Sequence, residues 1–265
     1  MRQLIVNAFE NGPFTGNPAA VVPLKSWPDD TLLQQIAAQN NLSETAFFVD
    51  SGDAIALRWF TPTAEIDLCG HATLATAHVL YAELGDVREE LRFETLSGKL
   101  VVKRTGEAYS MDFPASTLEV VPDGSTLAGE VLRAAGAVRG EVLLGGGRAY
   151  LTLDHPEFVR GLDVDLELVS RLPRGDLFVS APGDAGYDIF TRVFAPGVGI
   201  PEDPATGAAH CGFAPYWCER LARDEITSHQ VSERGGYFRC RWRKAQGRVD
   251  LIGSCRTFSR GELEL

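Results

Sequence analysis

Four side chains in this chain are of kinds that move protons or engage carbon, and each lies in or beside a polar motif next to an apolar run. Glu44 sits in NLSETAFFV (Asn41–Val49), Cys69 and His71 in RWFTPTAEIDLCGHATLATA (Arg58–Ala77), and Asp203 in RVFAPGVGIPEDPATGAAH (Arg192–His210). A carboxyl at the edge of the apolar stretch Ala46–Val49 meets desolvation, which lifts a carboxylate pKa. With both protonation states accessible near neutral pH, it can take a proton from carbon and return it nearby. His71 reads as a first-turn helix residue, where the positive end of the helix dipole disfavours imidazolium and leaves a neutral ring able to donate or accept a hydrogen bond. Each residue also has a plainer reading. Asn41 to Glu44 has capping-box spacing, Asp203-Pro204 has the pattern of an N-cap followed by Pro at the first helical position, and Cys69 is by default a small buried side chain. Gly70, Thr206, Gly207 and Ala208 lie at the starts of the same two helices. Backbone N–H groups there have no partner within the helix and are suited to a carboxylate, and glycine permits close backbone approach.

The elements that must position these groups come in two similar sets. Shifted by 192 − 58 = 134 positions without a gap, Ile55 meets Ile189, Arg58 meets Arg192, Phe60 meets Phe194 and Pro62 meets Pro196. The same shift sets Cys69 opposite Asp203. In each copy an extended segment leads through a loop to an Ala-rich helix. Two lobes of this design, face to face, would present chemical groups to opposite sides of one small molecule.

Periodicity and turn signals fill in the rest. Strands are predicted over Gln3–Phe9, Ala19–Leu24, Ala46–Val49, Ile55–Phe60, Leu91–Thr95, Lys99–Lys103 and Tyr109–Phe113, with helices from an Asp29 or Asp30 cap to Gln39 and over Ala72–Leu84, stopped by Gly85. Pro114–Gly124 reads as the linker between lobes. A Ser125-capped helix to Ala135 follows, then a hairpin about Gly145-Gly146-Gly147, a helix near Leu162–Arg171 and strands Leu177–Ser180 and Tyr187–Phe194. A helix over Ala205–Leu221, kinked at Pro215, precedes strands Tyr237–Arg243 and Arg248–Leu251. The helices after Gly70 and after Asp203 carry too little polar surface to lie outside. Strands outnumber helices and no regular strand–helix alternation is present, which argues against a parallel doubly wound sheet. The fold class is α+β: two pseudo-symmetric lobes, each a barrel-like sheet around a central helix. The N-terminal lobe is residues 1–114, joined by residues 256–265, and the C-terminal lobe is residues 115–255, with an active site expected in the cleft between them.

The net charge of −11 opposes nucleic-acid and anionic-membrane partners. The basic cluster Arg239–Lys244 alternates with Cys240 and Trp242, as a strand with one charged face does. Five cysteines without regular spacing, and no secretory layout at Met1–Phe14, point to free thiols and a cytoplasmic chain. Cys69 with His71, and His210 with Cys211, fall short of a tetrahedral metal set, so no metal is expected.

The segments VNAFENGPFTGNPAAVV (Val6–Val22), NLSETAFFV, RWFTPTAEIDLCGHATLATA and FAPGVGIPEDPATGAAH (Phe194–His210) together resemble the PhzF-like family, named for the phenazine-biosynthesis isomerase, whose fold is similar to that of diaminopimelate epimerase. The resemblance implies a cofactor-independent isomerase with no metal, commonly a homodimer, acting on a small anionic metabolite: a cyclic amino- or hydroxy-carboxylate such as dihydro-hydroxyanthranilate. It implies Glu44 as acid/base, His71 and Asp203 as further catalytic residues, and Gly70, Thr206, Gly207 and Ala208 as the carboxylate cradle. Cys69 is a secondary candidate. Related racemases place a thiol at each helix start, whereas here one start keeps Cys69 and the other offers Asp203 and Pro204. Ala208 stands where the family often has Ser, and a later QG-type motif is altered around His229-Gln230-Val231. A thiol/carboxylate epimerase or racemase, and a catalytically silent ligand-binding protein on the same scaffold, stay open as alternatives.

Overall fold

A computed structural model describes residues 1–265 apart from 53 and 185. The chain forms two compact units, one of Met1–Asp112 with Ile252–Leu265, the other of Phe113–Leu251.

The first unit is a closed barrel. Its strands are β1 (Arg2–Glu10), β2 (Asn17–Leu24), β3 (Glu44–Asp50), β4 (Ile55–Phe60), β6 (Glu90–Thr95), β7 (Gly98–Thr105), β8 (Ala108–Pro114) and β16 (Arg248–Glu262), with the two-residue β5 (Glu65–Ile66) paired to β4. They follow the order β1-β2-β3-β4-β6-β7-β8-β16, and β16 returns to pair with β1, so no edge is left open. Two pairs, β2 with β3 and β4 with β6, are parallel. Parallel neighbours need a crossover. The first is α1 (Asp30–Asn40), on the outside, capped by the Asp29 side chain on Thr31 N–H. The second is α2 (Gly70–His78), buried from His71 through Ala77 and packed on β1, β2 and β3. Its two threonines are tolerated there because each hydroxyl donates to a carbonyl four residues back, Thr73 to Cys69 at 2.6 Å and Thr76 to Ala72 at 2.8 Å. The helix starts two residues before the predicted Ala72. Its last turn, Val79–Glu83, widens to π geometry, with Leu84 N–H reaching Val79 O at 2.9 Å before Gly85 turns the chain at φ 74°.

The second unit repeats the plan. Its strands are β9 (Glu119–Val120), β10 (Glu141–Gly145), β11 (Arg148–Thr152), β12 (Leu177–Pro182), β13 (Ile189–Phe194), β14 (Glu225–Gln230) and β15 (Gly236–Arg243). Pairing runs β15-β14-β13-β12-β11-β10-β9, with β11–β12 and β13–β14 parallel. The first crossover carries the short helices α4 (Pro156–Arg160) and α5 (Leu166–Ser170), and α3 (Thr126–Ala135), capped by Ser125 on Ala128 N–H, precedes β10. The second crossover is α6 (Gly207–Leu221), packed on β14 and β15. In both units, therefore, a hairpin, an outer crossover, a second hairpin and a buried crossover helix follow in the same order.

Two sequence expectations need correction, and one strand goes unpredicted. The segment Pro114–Gly124 is not a bare linker: β9 within it pairs with β10, and Ser116 N–H donates to Cys211 O at 2.9 Å. That bond also explains how α6 passes through Pro215. Proline has no N–H for the carbonyl four residues back, which is Cys211, and Ser116 supplies the missing donor. The helix expected near Leu162–Arg171 is two five-residue helices, because Asp165 starts a new one by accepting from Glu167 and Leu168 N–H. The strand β14 gave too little alternation to be predicted. The unit boundaries fall inside β8 and β16, at Asp112/Phe113 and Leu251/Ile252. Among the described residues, no helix is long and apolar enough to cross a membrane.

Candidate active site

Glu44 is the first residue of β3, opposite Ala19 of β2, and is 6% exposed. It is not part of a capping box. Asn41 ends α1 in the left-handed region (φ 49°), its N–H closing on Ala37 O, so the helix it belongs to has already finished. His71 lies in the first turn of α2 and Cys69 is its N-cap, both 6% exposed. The fold brings these three together. His71 Nε2 lies 3.0 Å from Glu44 Oε2, and His71 Nδ1 lies 3.5 Å from Cys69 Sγ. The Glu44–His71 contact is close, but it misses hydrogen-bond alignment, leaving both atoms buried without a formal hydrogen-bond partner.

The electrostatics follow from burial and charge. Desolvation, with the Glu44 carboxylate as the next cause, pushes the Cys69 thiol up to about 11, so the sulfur keeps its proton at neutral pH. Burial opposes charge on His71, but the Cys69 sulfur and the Glu44 carboxylate outweigh it and hold the ring well above its usual range. Because the thiol is neutral near pH 7, Glu44 is the partner that sustains this shift. The helix dipole had argued for a neutral ring. It contributes about 0.3–1 kcal/mol, less than a carboxylate in direct contact inside a water-poor site.

Glu44, Cys69 and His71 each offer a ligand atom within 4.8 Å of the others. Cys69 and His71 alone do not make a metal set, and the fold adds a third candidate that their sequence spacing did not reveal. The ring, however, turns one nitrogen to the sulfur and the other to the carboxylate. That orientation suits proton relay better than three donors converging on one ion.

In the second unit, Asp203 is 9% exposed, and one of its oxygens, Oδ2, accepts from the Thr206 hydroxyl. Neither Asp203 nor Pro204 occupies the helix-start position that their pairing suggests. Thr206 is the N-cap of α6, though its own side chain makes no cap bond, and Gly207 is the first residue. The Thr206 hydroxyl is spent on Asp203 rather than on capping, which leaves the N–H groups of the first turn as donors for a ligand. The helix starts of the two units are related by 207 − 70 = 137 positions, not 134, because the loop after β13 is three residues longer than the loop after β4. Thr206 therefore stands in the place of Cys69, and Ala208 in the place of His71. The ungapped shift holds only through the strands. There, Arg58 grips Glu65 with two bonds of 2.7 Å and Arg192 grips Glu202 at 2.8 and 2.9 Å, each guanidinium lying over the phenylalanine two residues on.

Gln230, at the end of β14, is a positioning residue that the sequence flagged only as part of an altered motif. Its Oε1 accepts from Thr206 N–H at 2.8 Å, and its Nε2 donates to Asp203 O and to Thr206 Oγ1. Ser232 holds Pro204 O at 2.9 Å, and Gly236 lies so close to Ala205 that a Cβ there would sit 2.5 Å from the alanine methyl. Leaving a buried donor or acceptor unpaired costs about 1–3 kcal/mol. Gln230→Ala removes the acceptor of Thr206 N–H and a donor to Asp203 O, so we expect it to destabilise the protein by about 2–4 kcal/mol in urea unfolding. A variant as stable as wild type would show that this lattice does not hold the loop.

Comparison with known proteins agrees with this architecture. The family model described as phenazine biosynthesis-like protein matches residues 6–261. An uncharacterized isomerase of Pseudomonas aeruginosa is 44% identical, over 98% of this chain and 97% of that protein. The crystal structure of a PhzF-family phenazine biosynthesis protein from Enterococcus faecalis has a TM-score of 0.93 at 40% identity, covering 100% of this chain and 99% of its own. A predicted epimerase of Pseudomonas aeruginosa superposes at a TM-score of 0.76 with 25% identity, over 100% and 99% of the two chains. Two repeated strand plans, each with a buried crossover helix, and a match from residue 6 to residue 261 leave one conclusion: the chain belongs to the phenazine biosynthesis-like, or PhzF, family.

Proposed function

We propose that this protein is an isomerase that moves a proton between two carbons of a small anionic metabolite, using Glu44 and no cofactor. The observation that carries the reading is the buried Glu44 carboxylate in contact with His71 Nε2 at 3.0 Å, at the start of a buried helix. In the first step Glu44 takes a proton from an sp³ carbon and the C–H electron pair enters the conjugated system of the substrate. In the second, the protonated Glu44 returns the proton to a different carbon, and the double bonds shift. Nothing is oxidised or reduced, and the carboxylate is regenerated. A general acid/base so placed contributes about 10²–10⁴-fold.

His71, with Nε2 toward Glu44 and Nδ1 toward Cys69, stabilises the carboxylate and fixes its position. The share proposed for the second unit is recognition. Asp203 is suited to engage polar substituents, and the N–H groups at Thr206, Gly207 and Ala208 to hold a carboxylate, as is that of Gly70 at the corresponding helix start of the first unit. This supplies local positive potential in a chain of net charge −11. The substrate class is a cyclic amino- or hydroxy-carboxylate of the dihydro-hydroxyanthranilate type.

The competing reading is an epimerase, the activity named for one relative. It is disfavoured because Thr206, not a second thiol, stands in the place of Cys69. The protein incubated with dihydro-hydroxyanthranilate, or with a panel of related cyclic acids, in deuterated water separates the two. A displaced double bond is the expected result, with deuterium at the new sp³ carbon only to the extent that protonated Glu44 exchanges with solvent before it returns the proton. Label at an inverted stereocentre with the double bonds unmoved would replace isomerase by epimerase. Absence of both a displaced double bond and deuterium exchange across the panel would favour a silent binding protein.

A further inference from the structure

The chain thiol–imidazole–carboxylate formed by Cys69, His71 and Glu44 has the connectivity of a cysteine-nucleophile triad, in which the sulfur attacks a carbonyl. The chemistry of this sulfur is wrong for that task. A nucleophilic cysteine is a thiolate near neutral pH in an electropositive, partly open setting. Cys69 is 6% exposed, and burial and the Glu44 carboxylate keep its proton on. The sulfur is nevertheless held in a fixed place. The Cys69 carbonyl accepts from Thr73 N–H at 3.2 Å and from the Thr73 hydroxyl at 2.6 Å, which pins the backbone that carries it.

We propose that Cys69 is a positioning residue whose sulfur holds the His71 ring, through Nδ1, so that Nε2 faces Glu44. The inference rests on the acid/base reading of Glu44 and deepens it. During a proton transfer through Glu44, the ring partner must keep its orientation while its own charge state changes. A thiol is suited to both states: S–H donates to Nδ1 when the ring is neutral, and the sulfur accepts from Nδ1–H when the ring is cationic. A carboxylate in this place would lock the ring as imidazolium, and an aliphatic side chain would leave Nδ1 buried without a partner. The second unit shows the converse. Thr206, in the place of Cys69, turns its hydroxyl to Asp203, and Ala208, in the place of His71, has no ring to hold. The thiol is thus retained at the helix start that carries the histidine.

The test reads His71 directly, with no substrate present. The groups acting on its ring are Cys69, from the segment before α2, and Glu44, from β3. Ring ¹⁵N signals of His71 are followed against pH in the wild type, Cys69→Ala, Cys69→Ser and Glu44→Gln. Loss of the sulfur in Cys69→Ala is expected to lower the titration midpoint by about 0.5–1 pH unit, the size of one lost hydrogen bond. It should also broaden or shift the Nδ1 signal, and Cys69→Ser should restore both. Glu44→Gln lowers the midpoint whatever Cys69 does and serves as the positive control. If Cys69→Ala does not fold, Cys69→Val takes its place as the apolar variant. A midpoint and Nδ1 signal unchanged in the apolar variant, or unrestored in Cys69→Ser, overturns the proposal. Because no turnover is measured, a failure here is distinct from a failure of the deuterium experiment, which bears on the isomerase reading alone.

Discussion

Glu44→Gln is expected to lower kcat/KM by about 10²–10⁴-fold, the contribution of one well-placed general acid/base. Glutamine has nearly the same shape, so the start of β3 and its register with Ala19 on β2 should persist. What is lost is the ability to take a proton from carbon and to give it back. Because both half-reactions use the same group, no compensating step remains, and KM should change far less than kcat. Glu44→Asp separates chemistry from geometry. It keeps a carboxylate but withdraws it by one methylene from His71 and from any carbon held in front of it. A displacement of about 1 Å costs on the order of 10²-fold. The order wild type, then Asp, then Gln is therefore expected in single-turnover rates. Circular dichroism and unfolding midpoints close to wild type would show that the loss is chemical. Turnover preserved in Glu44→Gln would end the assignment of Glu44 as the acid/base.

Acid should unfold the protein partly through His210, a residue with no proposed part in the chemistry. His210 lies on α6, fully buried, with Nδ1 2.8 Å from Thr206 O, Nε2 2.8 Å from Ser228 Oγ, and its ring stacked 3.8 Å from Phe238. A carbonyl can only accept, so Nδ1 carries the proton and Nε2 accepts from the serine hydroxyl. Burial lowers its pKa to about 4, against a raising effect of the Thr206 carbonyl. The unfolded chain, with its histidine near 6.5, therefore binds one more proton than the folded chain between pH 6.5 and 4. Stability from this group is complete above 6.5 and is lost as pH falls toward 4. The slope approaches about 1.4 kcal/mol per pH unit and sums to about 3 kcal/mol. Urea unfolding across this range should show that loss in the wild type, and a shallower dependence by up to one proton in His210→Gln. Equal pH dependence in the two proteins would show that His210 titrates alike folded and unfolded. The consequence reaches the recognition loop, because the carbonyl that His210 holds belongs to Thr206, whose hydroxyl engages Asp203.

These two residues illustrate what could be read before any fold was known. Glu44 by its spacing alone also read as part of a capping box, and it stood out because the motif around it resembles that of the PhzF-like family. His210 did not, since a histidine beside a cysteine on an apolar helix has many. Gln230 was noticed only as a departure from a pattern, and its three bonds to Asp203 and Thr206 were invisible because β14 itself was not predicted. The capping readings of Glu44 and Asp203 failed for a common reason. Both rest on short local patterns, a four-residue spacing for Glu44 and an Asp-Pro pair for Asp203, and only backbone dihedrals decide where such a pattern lies relative to a helix.

The order of strands and helices, the two helices too apolar to lie outside, the matched Arg58 and Arg192 strands and the family motifs were all fixed by local composition and period, which act over a few residues. Tertiary structure alone decided which groups meet. Glu44 and His71 are 71 − 44 = 27 positions apart and touch only because α2 threads the barrel beside β3. Thr206, not Asp203, answers to Cys69 because three extra loop residues delay the second helix. Partnership across a sheet or along a buried helix depends on register and loop length. A change of one residue in either redirects every side chain beyond it.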